Sequence, residues 1–238
     1  MEIQPRHVVC ILNNDQDVIR NLCKEYPGFE YDEEYSHGNF QEGMSTAFAA
    51  SMECLIPSFV LEDQESIYKH TAVNYVLSPR MHKQDAVDIS QKMLSFVAEA
   101  FKLGALAVKG ESSGIAHGKL RWLELSERSK EPENQLSSLY RAWVRLPISD
   151  DSKLYSVGMH LIGMKDVEIN NCDSAIDDLD MFLLYLVVDR AEPNIKNGQT
   201  FSKDNESMVY TINGIDCNRY ESDDFFYNPY GLWSLTSK

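Results

Sequence analysis

The chain has 238 residues, with 37 acidic and 22 basic side chains and a net charge of −15 at neutral pH. So negative a surface repels nucleic-acid phosphates and anionic lipid, which argues against both as partners and favours a basic one. With 43% hydrophobic and 25% charged residues, the composition is that of an ordinary globular protein, so a sizeable buried core is expected and disorder is not the default.

In chain order, residues 7–12 (HVVCIL) form a short apolar run ended by Asn13-Asn14, the pattern of a buried strand. Asp15 then caps a helix with Val18, Leu22 and Tyr26 on one face, closed by Pro27-Gly28. Residues 29–35 (FEYDEEY) alternate aromatic and acidic side chains, as a half-exposed strand does. Residues 44–57 fit either a helix of small residues or a strand ending at Ile56-Pro57. Residues 69–77 (KHTAVNYVL) predict a strand with Thr71, Val73, Tyr75 and Leu77 on one face, stopped by Ser78-Pro79. The clearest helix covers residues 83–103, where Ala86, Ile89, Met93, Val97 and Ala100 recur at helical spacing and Gly104 caps the end. Residues 105–109 (ALAVK) follow as a strand.

Further on, residues 118–128 predict a helix and 129–134 a polar connector. Two strands are expected at 140–148 (YRAWVRLPI) and 154–162 (LYSVGMHLI), turned by Ser149-Asp150-Asp151-Ser152. Asp173 with Asp177 resembles a capping box with a shorter acid, opening a helix with Ile176, Leu179, Leu183 and Leu186 on one face. Asn197-Gly198 marks a turn, and residues 208–212 (MVYTI) are expected to be the last strand. Residues 223–233 (DDFFYNPYGLW) form an aromatic, turn-rich tail. Short turns between adjacent strands predict an α+β fold, a mainly antiparallel sheet packed with helices, with a ferredoxin-like β-α-β-β-α-β unit in the first half. Residues 1–238 are expected to form a single domain.

The charge is unevenly spread: net −9 over residues 1–75, +3 over 76–165 and −9 over 166–238. Solubility is the plain reading of such an excess, and steering of a basic partner the sharper one. The five cysteines (Cys10, Cys23, Cys54, Cys172 and Cys217) fit neither a disulfide framework nor a zinc site. The N-terminal residues lack the apolar core of a signal peptide, and no apolar run reaches the ~20 residues of a membrane helix. A cytoplasmic location without membrane association is the expectation.

Gly110-Glu111-Ser112-Ser113-Gly114 matches G-x-S-x-G directly after a predicted strand. A nucleophile elbow needs that turn to expose the serine hydroxyl and to aim backbone amides at an oxyanion. It also needs a helix at once, and Ile115-Ala116-His117-Gly118 delays one. His117, five residues after Ser112, is the nearest candidate base. The six histidines form no metal spacing, and His160, alternating with Met159 and Leu161, reads as a structural histidine in a strand. Asp173, Asp177, Asp178 and Asp180 lack the glycine and alternation of a calcium loop and suit a helix N-terminus. Asp32-Glu33-Glu34 and Glu221-Ser222-Asp223-Asp224 read as solvated edges. No cofactor, metal or nucleotide motif stands out. The aromatic tail reads equally well as a binding hot spot or as rings packed on the core.

Several motifs are shared with a known family. These are residues 69–78 (KHTAVNYVLS), Gly104-Ala105-Leu106-Ala107-Val108, the Ser112-Ser113-Gly114 turn up to His117, and Ala142-Trp143-Val144-Arg145-Leu146. Residues 155–169 (YSVGMHLIGMKDVEI) and Lys196-Asn197-Gly198-Gln199-Thr200 continue the pattern. Through them residues 69–202 resemble the uncharacterised bacterial family called domain of unknown function 4261. Residues 1–68 are less recognisable, and residues 203–238, with the last predicted strand and the tail, lie beyond the resemblance. The resemblance implies an α+β domain without an established activity, so no functional residues carry over. It also weighs against a serine elbow near Ser113.

Without a catalytic motif, the leading expectation is a protein-binding module: an immunity protein that neutralises a basic bacterial toxin, such as a nuclease, through its acidic surface. Its expected contacts are Asp177, Asp178, Asp180, Asp223, Asp224, Tyr227 and Trp233. The alternatives are a small serine hydrolase using Ser112 and His117, and a structural subunit of a larger assembly.

Overall fold

A computed structural model describes residues 3–52, 61–150 and 152–237. The first half builds a four-stranded antiparallel sheet from β1 (Val8–Asn13), α1 (Gln16–Glu25), β2 (Glu30–His37), α2 (Glu42–Met52), α3 (Leu61–Ser66), β3 (Ala72–Leu77), α4 (Ala86–Lys102) and β4 (Ala107–Gly110). The strand order is β2-β3-β1-β4. Two interleaved β-α-β units, β1-α1-β2 and β3-α4-β4, give that order, so the ferredoxin-like unit is present, with α2 and α3 inserted before β3. The undecided stretch at 44–57 is helical as far as Met52; residues 53–57 lie outside the described residues.

Strand β1 is buried along its whole length because both faces of this sheet are covered. Val9 and Ile11 join a core containing Leu22 of α1 and Phe96 and Val97 of α4. Cys10 and Leu12, pointing the other way, pack with Phe48 and Met52 of α2. Helix α1 starts where expected, since Asp15 accepts a hydrogen bond from the Asp17 amide at 3.0 Å. Helix α4 ends at Gly104, whose φ of +99° is the left-handed conformation that only glycine adopts cheaply.

The second half contains α5 (Lys119–Arg128), α6 (Gln135–Trp143), β5 (Arg145–Ser149), β6 (Lys153–Val157), β7 (Asp166–Asn170), α7 (Ala175–Val188), β8 (Thr200–Phe201), β9 (Tyr210–Ile215) and β10 (Leu232–Ser237). Its sheet has the order β5-β6-β7-β10-β9-β8, with β10 parallel to β7 and the other pairs antiparallel. One continuous core joins the two sheets. Val76 and Val108 of the first, Trp122 and Trp143 of α5 and α6, and Val167, Ile169, Tyr210 and Leu235 of the second all belong to it.

Four expectations are corrected. The strand predicted at 140–148 is helical as far as Trp143: Tyr140, Ala142 and Trp143 are all buried, so alternation was no guide to its face. The strand predicted at 154–162 stops at Val157, because Gly158 turns the chain with φ +117° into a 3-10 turn, Met159–Ile162, that carries His160. Helix α7 begins after Ser174 without a capping box, and Ser174 instead donates to Asp178 at 2.7 Å; Ile176 is exposed while Leu179, Leu183 and Leu186 are buried. Finally, β9 is not the last strand, since the end of the aromatic tail enters the sheet as β10. Among the described residues no helix is long and apolar enough to cross a membrane.

Buried histidines knit the interior. The Ser90 hydroxyl gives its one proton to the Leu161 carbonyl, so it must accept from Nε2–H of His7 at 2.6 Å. His70 bonds the Ile67 carbonyl through Nδ1 at 2.7 Å and accepts the Gln41 amide on Nε2 at 3.1 Å. Burial, then repulsion from His160, lowers the pKa of His7 to about 3. Burial, then Arg121, lowers that of His117 to about 4. Both rings have an ordinary value of 6.5 once unfolded, so below that pH the unfolded chain binds protons the folded chain refuses. Stability is therefore expected to be full above pH 6.5 and to fall as the pH drops towards 4 and then 3. The slope for each histidine is about 1.4 kcal/mol per unit. Urea unfolding followed from pH 7 to pH 4, with proton uptake on unfolding, checks this.

Candidate functional site

The two acidic flanks of the sequence meet on the surface. Strand β2 is an edge strand, and its EYDEEYSH sequence keeps it charged, which guards an open edge against aberrant pairing. Within it the Asp32 carboxylate accepts the Glu34 and Tyr35 amides at 3.0 and 3.1 Å, which fits the break in register with β3. That break leaves Tyr35 59% exposed. Asp32 and Tyr35 line a groove of about 860 Å³ whose other wall carries Asp223, Asp224, Phe225 and Tyr227. Arg6 and Arg80 also line it. Arg6 is paired with Glu30 at 3.3 Å, and Arg80 donates to the Gln4 carbonyl at 3.3 Å. The Asp224 carboxylate closes a turn by accepting the Phe226 amide at 2.7 Å. Asp223 makes no hydrogen bond among the described residues and is exposed.

A polar hub ties the tail segment behind this wall to the second sheet. Arg219 lies 3.9 Å over the Tyr155 ring and pairs with Asp150 and with Glu168, the latter at 3.2 Å. Glu168, 5% exposed, also accepts Lys153 and the Ser234 hydroxyl. The Ser152 amide, then Arg219, holds the Asp150 carboxyl well below the usual carboxylate range. Asn228 donates to the Met164 carbonyl at 3.0 Å and to buried Asp166 at 2.7 Å. The segment is thus fixed at both ends.

The expected contact residues divide. Asp223, Asp224 and Tyr227 share the acidic groove. Asp177 and Asp180 line a different groove, where Asp180 is engaged by Tyr140 at 2.8 Å and by both terminal nitrogens of Arg141 at 3.0 and 3.2 Å. Asp178 is 2% exposed and accepts the Tyr210 and Ser174 hydroxyls, so it serves the core. Trp233 is 6% exposed in β10 with the Lys165 ammonium 4.9 Å over its ring, and is equally removed from the surface. Asp32 and Tyr35 were not among the expected contacts. Their own segment signals only an exposed strand, and the partner wall lies about 190 residues away.

The Gly110–Gly114 turn is not a nucleophile elbow. Gly110 and Ile115 exchange backbone hydrogen bonds at 2.8 and 3.2 Å, so the chain doubles back instead of entering a helix. Ser112 is 1% exposed; its hydroxyl accepts the Val8 amide and donates to the Arg6 carbonyl, both at 2.9 Å. His117 donates instead to the Ala142 carbonyl at 3.3 Å, and no hydrogen bond joins it to Ser112. A buried hydroxyl already using its proton to staple two segments has no base and no access to substrate. Of the cysteines, Cys10, Cys23 and Cys217 are buried free thiols and Cys172 an exposed one; Cys54 lies outside the described residues.

Compared with known protein families, curated proteins and solved structures, the chain matches none of them.

Proposed function

We propose that this chain is a protein-binding module of the bacterial cytoplasm whose acidic groove receives a basic protein, as an immunity protein receives a cationic toxin such as a nuclease. The observation that carries this reading is the convergence of Asp32 with Asp223 and Asp224 in one groove that also presents Tyr35, Phe225 and Tyr227. Carboxylates steer a cationic partner and fix its orientation, while rigid aromatic rings supply contact area at little entropic cost. A backbone held by the Asp32 turn and the Asp224 turn is ordered before the partner arrives, which lowers the cost of association.

The test is capture of partners from the native host at low and high salt, with the wild type and with an Asp32→Asn/Asp223→Asn/Asp224→Asn variant. Asparagine keeps the turn-closing acceptors while removing the charge. The expected result is one stoichiometric basic protein, retained at low salt, released at high salt and lost by the triple variant, but kept by Asp177→Asn. A partner equally held by the triple variant, or indifferent to salt, would remove the reading.

A further inference from the structure

A second groove, sharing no lining residue with the acidic one, has the opposite character. It encloses about 450 Å³ and is lined by Arg121 of α5, Arg141 of α6 and Arg145 of β5, beside His117, Asp177 and Asp180. Leu146, Pro147 and Ile176 give it apolar wall. Two of the arginines are spoken for. Arg141 forks onto Asp180, and Arg121 reaches Glu124 on its own helix at 2.8 Å. The Arg145 guanidinium has no ion pair or hydrogen bond among the described residues, although it is half-buried and the chain carries 37 acids.

The backbone makes room for that guanidinium. Gly114 sits at φ +67°, and a Cβ there would meet Nη1 of Arg145 at 3.0 Å and the Phe226 ring at 3.2 Å. The guanidinium and the Phe226 ring therefore both lie close against this glycine, in space that a side chain there would take. A half-buried guanidinium pays for desolvation unless an anion completes it, and its fork matches the two oxygens of a carboxylate or phosphate. Burial keeps His117 neutral beside it, so this ring adds no second cation and the charge for an anion comes from the guanidinium.

We infer that this groove is a binding site for a small organic oxyanion, a carboxylate or phosphate monoester with an apolar portion, anchored by Arg145. The oxyanion lies on the Arg145 fork and the apolar portion against Leu146, Pro147 and Ile176. The volume suits a compact metabolite-sized molecule, since small-molecule sites span roughly 300–1,000 Å³. Asp177, exposed at the rim and without a partner among the described residues, is placed to accept from a ligand hydroxyl or ammonium.

The experiment is titration of the full chain with phenyl phosphate, phenylacetate and inorganic phosphate, followed by the Arg145 side-chain NMR resonances and by calorimetry. Saturable binding of phenyl phosphate or phenylacetate is expected, with the Arg145 Nε–H signal moving. Arg145→Gln is expected to weaken it at least ~10-fold, and Arg145→Lys to weaken it less by keeping the charge but not the fork. Lys196→Gln, altering an exposed cation outside the groove, is expected to leave the affinity unchanged. Preference for one probe over the other assigns the ligand to the phosphate or the carboxylate class. No movement of the Arg145 signal up to about 10 mM of any probe, or equal binding by Arg145→Gln, overturns the assignment.

Discussion

Replacing Trp143 by alanine is expected to lower the free energy of unfolding by about 3–5 kcal/mol, the range for deleting a large aromatic side chain from a packed interior. Trp143 is fully buried. Its ring lies 4.4 Å from that of His7 and 5.1 Å from that of Trp122, and its ring edge comes within 3.4 Å of the Cβ position of Gly110. On its other side the backbone carbonyl of Trp143 fills the space a side chain at Gly158 would need. The indole therefore sits where the first sheet, α5 and the chain leaving β6 converge. Because its loss removes support from both sheets, the variant should still unfold in one transition at a lower urea midpoint. Circular dichroism and tryptophan fluorescence, followed together, check this. Two separated transitions would mean that the sheets are independent units despite the shared core.

The second large effect is expected for Arg219→Ala, about 3 kcal/mol, the low end of the cost of stripping one partner from a buried ion pair. The low end applies because Asp150, one of its two acids, is 37% exposed and regains water, whereas Glu168 stays buried with only Lys153 and Ser234. The change also unseats the segment beneath one wall of the acidic groove. Faster amide exchange over residues 216–228 is therefore expected, together with weaker partner binding in a variant that touches no groove carboxylate. Exchange unchanged in that segment would show that Asn228 alone holds it.

How far the sequence reveals this molecule depends on whether each signal is local. Helix α1 was legible from its capping aspartate and helix α4 from its apolar stripe and closing glycine, signals that each lie within one segment. The ferredoxin-like unit followed from the order of such segments. Helix α6 was not legible, since Tyr140, Ala142 and Trp143 are all buried and mimic the pattern of a sheet residue. Strand β10 was read as tail because half of its identity lies in its pairing with β7, about 65 residues earlier. The sites were less legible still. The sequence located the acids but could not say that Asp32 faces Asp223, nor that Asp178 turns inward. It offered no sign that Arg121, Arg141 and Arg145 line one cavity, because all three were hidden in a segment whose net charge is only slightly positive.

The placement of β10 also bears on how the protein is made. A ribosome delivers this strand after the nine other strands among the described residues, yet it belongs in the interior of the second sheet, between β7 and β9. During synthesis β5, β6 and β7 can pair as a meander, while β9 waits without its neighbour and Asp166 and Glu168 lack Asn228 and Ser234. The ferredoxin-like half faces no such delay, since its last strand, β4, emerges more than 120 residues earlier. Folding on the ribosome should therefore be staged: the strands of the ferredoxin-like half can pair early, and the second sheet stays open until β10 slots in between β7 and β9.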